Sequence, residues 1–291
     1  MDWLNAVLQG VLLGGLYALL ATGLSLVFGV MRLVNLAQGD LTVLAAFLAL
    51  SVVEATGVNP LVSLVAVVPS LMIGGYLLQR LLLNFTLGRG VLPPVLVTFG
   101  LAVILQNALL GVYSADSQGL DAGPIEGSSL RLTDQLAVGW FPLITLIVAV
   151  LILVGLQLLI SRTALGRSLR ATADDPDAAS LVGIDDRHIY AVAMALALGT
   201  IAIAGVFLGI RTTFAPSDGP VRLIFAFEAV VIGGLGSLWG TLVGGIVLGV
   251  AQALGNQIGP GYQMLAGHLV FLIVLIFRPS GLFARPALRR A

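Results

Sequence analysis

Residues 223–255 read LIFAFEAVVIGGLGSLWGTLVGGIVLGVAQALG, an apolar stretch whose length does not fit one membrane span. As a single helix it would be about 50 Å long, whereas two full spans need roughly 20 residues each plus a connection. Its middle, GGLGSLWG at 233–240, is rich in glycine, which weakens helices. We therefore predict two short helices that meet near Gly236, either as a re-entrant hairpin or as two crossings.

The whole chain has the same apolar character. Its 291 residues are 58% hydrophobic and 10% charged, whereas soluble domains are roughly 45–50% apolar and about 25% charged. Together with 223–255, the other long apolar stretches make about eight, and they run at 6–30, 36–54, 60–80, 92–113, 141–161, 189–210 and 262–278. This pattern predicts an all-α, polytopic transmembrane helix bundle that forms a single domain over residues 1–291.

Two longer polar loops give the bundle an orientation. Residues 114–139 are acidic, and residues 162–188 carry four arginines. Because basic loops stay in the cytoplasm, we place 162–188 inside and 114–139 outside. Alternation then puts the N-terminus outside, and it puts the arginine-rich C-terminal tail in the cytoplasm only if 223–255 reverses direction once.

Composition argues against several kinds of chemistry. The chain has no Cys, its two His are far apart, and all 14 basic residues are Arg. A Walker A loop needs a lysine, so any ATP would be hydrolysed by a partner. We therefore expect no catalytic residues, no bound metal and no cofactor. A membrane-embedded enzyme, the rival class, would need clustered catalytic or metal-ligating side chains at membrane depth.

A second polar interruption lies early in the chain. The string VNLAQGD at 34–40 has the character of the 233–240 segment, and an apolar helix follows each of them. In the derived topology the helix near residue 6 runs inward and the helix near residue 189 runs outward. Opposite directions of corresponding segments predict an inverted repeat, in which a transport path lies at the repeat interface.

Four strings, in this order and spacing, resemble the LivH-type permease of branched-chain amino-acid ABC importers. They are GLYALLATGLSLVFGVMRLVNLAQGD (15–40), GRSLRATADDPDAASLVGID (166–185), GGLGSLWGTLVGG (233–245) and RPSGLF (278–283). The resemblance covers nearly the whole chain. It implies that the single domain is a permease domain, with 162–188 as the cytoplasmic coupling loop and 114–139 as an extracytoplasmic loop.

Importer permeases of this type carry an E-A-A-x-x-x-G loop whose short helix docks on the ATPase, and here Asp replaces the Glu. The alternative is an ordinary solvated loop. From the resemblance we assign to ATPase coupling the residues Gly166, Arg167, Arg170, Asp177, Ala178, Ala179 and Gly183.

A second set of residues is predicted to line the translocation pathway: Asn35, Gln38, Gly39, Asp40, Glu228, Gly234 and Gly236. The two carboxylates lie within spans, where charges usually face the bundle interior or a water-filled path. The alternative for Asp40 and Glu228 is a place near the interface, capping a helix or pairing with an arginine such as Arg32 or Arg222. We interpret His268 as a packing residue.

The resemblance thus implies a permease subunit in the bacterial cytoplasmic membrane that moves branched-chain or related amino acids inward by alternating access. Implied partners are a second permease subunit, two ATPase subunits that bind the ATP, an extracytoplasmic substrate-binding protein and the lipid bilayer, with no nucleic acid. Urea or short amides are alternative substrates. A stand-alone secondary transporter is the remaining alternative, although it has no need of the loop 162–188. Homodimeric and heterodimeric pairing both stay open.

Overall fold

A computed structural model describes residues 2–87, 90, 92–133 and 136–283. The predicted Arg-rich tail beyond Phe283 lies outside these residues. The α-helices are α1 (Asp2–Met31), α2 (Gln38–Thr56), α3 (Pro60–Leu81), α4 (Leu92–Tyr113), α5 (Pro124–Gly127), α6 (Trp140–Arg162), α7 (Ala164–Asp174), α8 (Pro176–Leu181), α9 (Asp186–Arg211), α10 (Gly219–Gly233), α11 (Leu238–Ile258) and α12 (Tyr262–Phe277). An antiparallel hairpin, β1 (Ser129–Thr133) and β2 (Leu136–Gly139), lies in the loop 114–139.

Each predicted apolar segment forms helix, so the all-α bundle is confirmed. Within the described ranges, seven helices are long and apolar enough to cross a membrane, and α12 is a shorter apolar helix. The hairpin and the short helix α5 were not predicted, because the sequence of 114–139 was interpreted only as a polar loop.

The predicted break in 223–255 is also confirmed. Helix α10 ends at Gly233 and α11 begins at Leu238. Between them, Gly234 and Gly236 have φ angles of +106° and +79°, which side chains rarely adopt. Ser237 then starts α11, because its Oγ accepts a hydrogen bond from the Gly240 amide at 3.1 Å.

Helices α1 and α9 form the centre of the bundle, and α3, α4, α6 and α12 form its periphery. The two halves of the chain exchange packing partners. Helix α1 of the first half packs most extensively on α11 of the second half, and α9 of the second half packs most extensively on α3 of the first half. Helix α1 also contacts α10, and α9 contacts α2. This exchange is the packing expected of a repeat in which α1, α2 and α3 correspond to α9, α10 and α11.

Helix α2 begins in the interior of the bundle. The Gln38 side chain donates from Nε2 to the Leu20 carbonyl oxygen at 2.8 Å, and Leu20 lies in the middle of α1. The chain therefore leaves α1 at Met31 and returns to the level of Leu20 before α2 starts. Non-helical backbone is tolerated at such depth only where protein or a cavity surrounds it.

The second half contains a matching return. Helix α9 ends at Arg211, and α10 begins at Gly219 beside Gly39 in the first turn of α2. The counterpart of the 34–40 interruption is therefore the connection 212–218 and not the 233–240 segment with which the sequence pattern compared it. The two segments were compared because both interrupt apolar stretches, but 233–240 forms a tight turn between two helices at the far end of α10.

The two polar loops lie at opposite ends of the bundle. The loop 114–139 meets the end of α9 through the pairing of Gln118 with Phe214. Helices α7 and α8 lead into the start of α9, which is about 39 Å from its end at ~1.5 Å per residue. The opposite placement of these loops agrees with the predicted topology.

Candidate functional site

The predicted coupling loop is built from two helices, of which α7 comes first. The Thr163 hydroxyl oxygen accepts a hydrogen bond from the Gly166 amide at 3.0 Å and so caps α7. A Cβ on Gly166 would lie 2.2 Å from the Leu159 carbonyl oxygen. Gly166 therefore permits the chain to fold tightly back at the end of α6.

Helix α7 is amphipathic and packs against α1, α6 and α9. Leu169 and Thr172 face inward and are buried, whereas Arg167 and Arg170 are exposed. The two predicted arginines thus lie on a free surface, separate from the packed face that attaches α7 to the bundle.

Helix α8 forms where the sequence has helix-start and helix-stop residues. The Asp175 carboxylate accepts a hydrogen bond from the Ala178 amide at 3.0 Å, and Pro176 occupies the first turn. At the other end, the Gly183 amide donates to the Ser180 carbonyl at 3.0 Å with Gly183 at φ +86°. The Ile184 amide bonds the Ala179 carbonyl at 3.1 Å, which completes a Schellman-type end.

The predicted residues of α8 divide into an exposed and a buried group. Asp177, Ala178 and Gly183 are exposed. Ala179 is only 3% exposed, so its methyl group packs within this chain. Of the residues assigned to coupling on α8, Ala179 thus has its side chain turned towards this chain and not towards solvent.

Sequence reasoning missed the most prominent feature of this surface. Leu181 and Val182, at the end of α8, are 88% and 77% exposed. The sequence did contain a signal for this feature. Two large apolar residues precede the helix-ending Gly183 in a polar loop that carries arginines. Together these two side chains form a small apolar surface that a partner protein can cover.

The start of α9 is attached to α3, which fixes the base of the coupling loop. Asp185 accepts a hydrogen bond from the His188 amide at 3.2 Å and lies 3.5 Å from Arg80. That backbone donor, and then the Arg80 guanidinium, hold the pKa of Asp185 below its usual value. Nδ2 of the Asn84 side chain also donates to the Arg187 carbonyl oxygen at 3.2 Å.

The first four predicted pathway residues lie together in the interior. Asn35 and Gln38 are each 1% exposed, and the Asn35 Oδ1 accepts from the Ala37 amide at 3.0 Å. Neither Asn35 Nδ2 nor Gln38 Oε1 has a hydrogen-bond partner among the described residues. The start of α2 therefore retains unused hydrogen-bonding capacity.

Gly39 and Asp40 lie where α2 crosses α10. A Cβ on Gly39 would lie 1.9 Å from the Gly219 carbonyl oxygen, so the backbones touch. The buried Asp40 carboxylate accepts a hydrogen bond from Gln106 Nε2 of α4 at 2.8 Å. The partner of Asp40 is thus Gln106 and not an arginine such as Arg32, which was the alternative considered.

Glu228 lies on α10, away from this crossing. It is 3% exposed, and its Oε1 is 2.5 Å from His268 Nδ1 on α12. Arg222, its suggested partner, instead bonds Asp218 at 3.0 Å. His268 is therefore half of a carboxylate–imidazole pair, and its hydrogen-bond partner is a residue that the sequence did not identify.

Gly234 and Gly236 do not join the buried polar group. Gly281 packs against Gly234, where a Cβ on Gly281 would lie 2.5 Å from the Gly234 backbone. Gly236 packs against Gly29 near the end of α1. These two glycines form a tight turn at the same end of the bundle as the C-terminus of α1, and they contact neither Asn35 nor Asp40.

Known proteins resemble this chain over nearly its full length. The branched-chain amino acid transport permease BraD of Pseudomonas aeruginosa is 31% identical over 304 residues, covering 99% of this chain and 98% of BraD. LivH of Escherichia coli is 28% identical over 306 residues, with 99% and 97% coverage. Among solved structures, PsaBC from Streptococcus pneumoniae in complex with Fab has a similar fold, with a TM-score of 0.50, 14% identity and 94% and 92% coverage.

The family described as branched-chain amino acid transport system, permease component, matches residues 6–278. Its match spans α1 to α12 and includes both the predicted coupling loop and the crossing of α2 with α10. The chain therefore belongs to the family of branched-chain amino acid transport permeases.

Proposed function

We propose that this chain is the permease subunit of an ATP-binding-cassette importer that carries branched-chain amino acids into the cytoplasm. The chain belongs to a permease family, and its described residues include seven helices long and apolar enough to cross a membrane, so it is a multi-pass membrane transport protein rather than an enzyme. Two relatives that match it over nearly their full length are named as high-affinity branched-chain amino acid permeases. Their names support this substrate class over urea or short amides.

The exposed tip of α8 is the observation that supports ATP coupling best. A permease without a lysine cannot supply a Walker A loop, so force must arrive from a soluble partner through a rigid contact. Leu181 and Val182 offer an apolar contact, and the capped ends of α8 and the anchored base of α9 make the loop rigid. Partner ATPase subunits would bind the ATP, and the permease itself would need no cofactor.

An importer of this kind would need two further kinds of partner. A second permease subunit would complete the membrane part, and an extracytoplasmic binding protein would deliver the substrate on the side of the loop 114–139. The crossing of α2 with α10 at the repeat interface supports alternating access. Both helices begin inside the bundle, so they can shift against the central pair α1 and α9.

The orientation can be tested with introduced thiols, since the chain has no cysteine. Ser117 and Ala164 are both exposed and lie in the loops at opposite ends of the bundle. We expect Ser117→Cys to react with a membrane-impermeant maleimide in intact cells, whereas Ala164→Cys reacts only after permeabilisation. Labelling of Ala164→Cys from outside would reverse the proposed orientation and remove α8 from the reach of a cytoplasmic ATPase.

The substrate class can be tested by competition in cells that express the complete importer. We expect the uptake of labelled leucine to fall to background when unlabelled isoleucine or valine is present in hundredfold excess. Urea or acetamide at the same excess should leave uptake unchanged, because neither carries the ammonium and carboxylate groups of an amino acid. Inhibition by urea but not by valine would overturn the assignment.

A further inference from the structure

Helix α3 packs closely against the first half of α9. A Cβ on Gly75 of α3 would lie 2.9 Å from the Met194 carbonyl oxygen, and a Cβ on Gly199 of α9 would lie 2.9 Å from the Met72 side chain. Small residues permit such close approach of two membrane helices. The two helices are therefore in direct contact from the middle of α9 towards its start, where the predicted coupling loop joins it.

Polar contacts continue this packing at the end of α3. Three of them join α3 and the turn after it to the start of α9, and we call them the α3–α9 junction. They are Tyr76 Oη with His188 Nδ1 at 2.9 Å, Arg80 Nη1 with Asp185 Oδ2 at 3.5 Å, and Asn84 Nδ2 with the Arg187 carbonyl oxygen at 3.2 Å. The junction follows α8 directly, because α8 ends at Leu181 and α9 begins at Asp186.

The three contacts differ in how firmly they hold. Arg80 and Asp185 are exposed, and an exposed ion pair contributes little to stability. Asn84 is only partly exposed, and its Oδ1 accepts a hydrogen bond at 2.9 Å from Nε2 of Gln79, which is fully buried. Both ends of the Asn84 carboxamide are thus bonded, one to α3 and the other to the start of α9. Asn84 is therefore the best-positioned member of the junction.

The junction resists one particular movement, the sliding of α9 along α3. Packed helices commonly shift past one another by small sliding displacements. In lipid, no hydrophobic effect between apolar side chains holds two helices together. Hydrogen bonds oppose sliding, because it lengthens them and turns them away from their preferred angles. The polar contacts thus fix the position of the start of α9 along the axis of α3.

We propose that the α3–α9 junction positions the two helices for ATP coupling, with Asn84 as the residue that contributes most. A displacement of α8 then moves the start of α9 and the end of α3 together. This inference rests on the proposed function and names residues, outside the family's docking loop, through which that loop moves a membrane helix. Without the Asn84 contact, α8 would move while α3 stays behind, and ATP would be hydrolysed without transport.

The test compares Asn84→Asp with Asn59→Asp as its matched control. Both side chains donate from Nδ2 to a backbone carbonyl oxygen, Asn84 to Arg187 at 3.2 Å and Asn59 to Ala122 at 3.1 Å. Each change conserves the shape of the side chain, keeps an accepting oxygen and removes the donor. The two positions differ in place, because Asn59 precedes α3 and contacts the loop 114–139, at the end of the bundle opposite to α8.

The readout is the number of ATP molecules hydrolysed per leucine imported by the complete importer in proteoliposomes. We expect Asn84→Asp to raise this ratio roughly fivefold, within the range by which single residues change the coupling between two sites, while the ATPase stays bound. Asn59→Asp should leave the ratio unchanged. A merely structural defect would lower ATP hydrolysis and uptake together and so would not change the ratio.

Tyr76→Phe is a second variant, which removes one oxygen atom and keeps the ring beside His188. We expect it to raise the ratio about twofold. An unchanged ratio in Asn84→Asp, or an equal rise in Asn59→Asp, would overturn the proposal. Should Asn84→Asp not assemble, an unchanged ratio in Tyr76→Phe would overturn it. Leucine uptake by the unsubstituted importer that does not depend on ATP would instead refute the proposed function.

Discussion

Replacing Leu181 and Val182 together by aspartate should abolish leucine uptake and release the ATPase from the purified complex. Both side chains are almost fully exposed at the end of α8. Burying a large aliphatic side chain contributes about 1.5–3 kcal/mol, so losing both weakens docking at least hundredfold, before the cost of burying two carboxylates is added. Uptake and co-purification of the ATPase measure the effect.

Two control variants separate the causes of this loss. Ser180→Asp adds one exposed charge to the same helix without removing apolar surface, and we expect less than a tenfold effect. Leu181→Ala with Val182→Ala removes the apolar surface without adding charge and should fall between the two. Since all three positions are exposed, each variant should enter the membrane in normal amounts. Undiminished uptake by the double aspartate variant would show that α8 is an ordinary solvated connection.

Adding a single methyl group at Gly39 should strongly destabilise the folded permease. A Cβ at this position would lie 1.9 Å from the Gly219 carbonyl oxygen, and the obstacle is backbone that cannot rotate away. Overpacking of a core typically costs about 1–3 kcal/mol, and a forced separation of α2 and α10 lies at the upper end of that range. We expect Gly39→Ala to leave little monodisperse protein after detergent extraction.

Gly74→Ala is the matched control. Gly74 lies in α3, and a Cβ there would meet no atom within 4 Å. Because alanine favours helix over glycine by roughly 0.5–1 kcal/mol, this variant should be at least as stable as the parent chain. Equal yield and thermal stability of the two alanine variants would show that the helices do not cross at Gly39 and Gly219.

The features that the sequence predicted depend on the length of an apolar stretch or on contacts between residues close together in the chain. The break in 223–255 follows from comparing the length of one stretch with the thickness of a bilayer, and the glycines mark its position. The resemblance implied a short helix in the loop 162–188, and Asp175, Pro176 and Gly183 start and stop that helix, α8, through contacts within a few residues. Both features are confirmed, because nothing distant in the chain competes with them.

The features that the sequence did not predict depend on contacts between distant segments. Asp40 bonds a residue 66 positions away, and Glu228 bonds a residue 40 positions away. An arginine was the alternative partner considered for each carboxylate, but the direction in which the helix turns the side chain decides the partner. The same applies to Ala179, which the short helix turns inward while it exposes Leu181 and Val182.

We propose that ATP hydrolysed by a partner drives amino acids through this chain. The most direct measurement is uptake of labelled leucine into proteoliposomes that contain the complete importer, with the binding protein supplied in excess and ATP available only on the α8 side. We predict accumulation that requires ATP and disappears with the Leu181→Asp, Val182→Asp variant. Accumulation that proceeds without ATP, or that continues in that variant, would contradict the account.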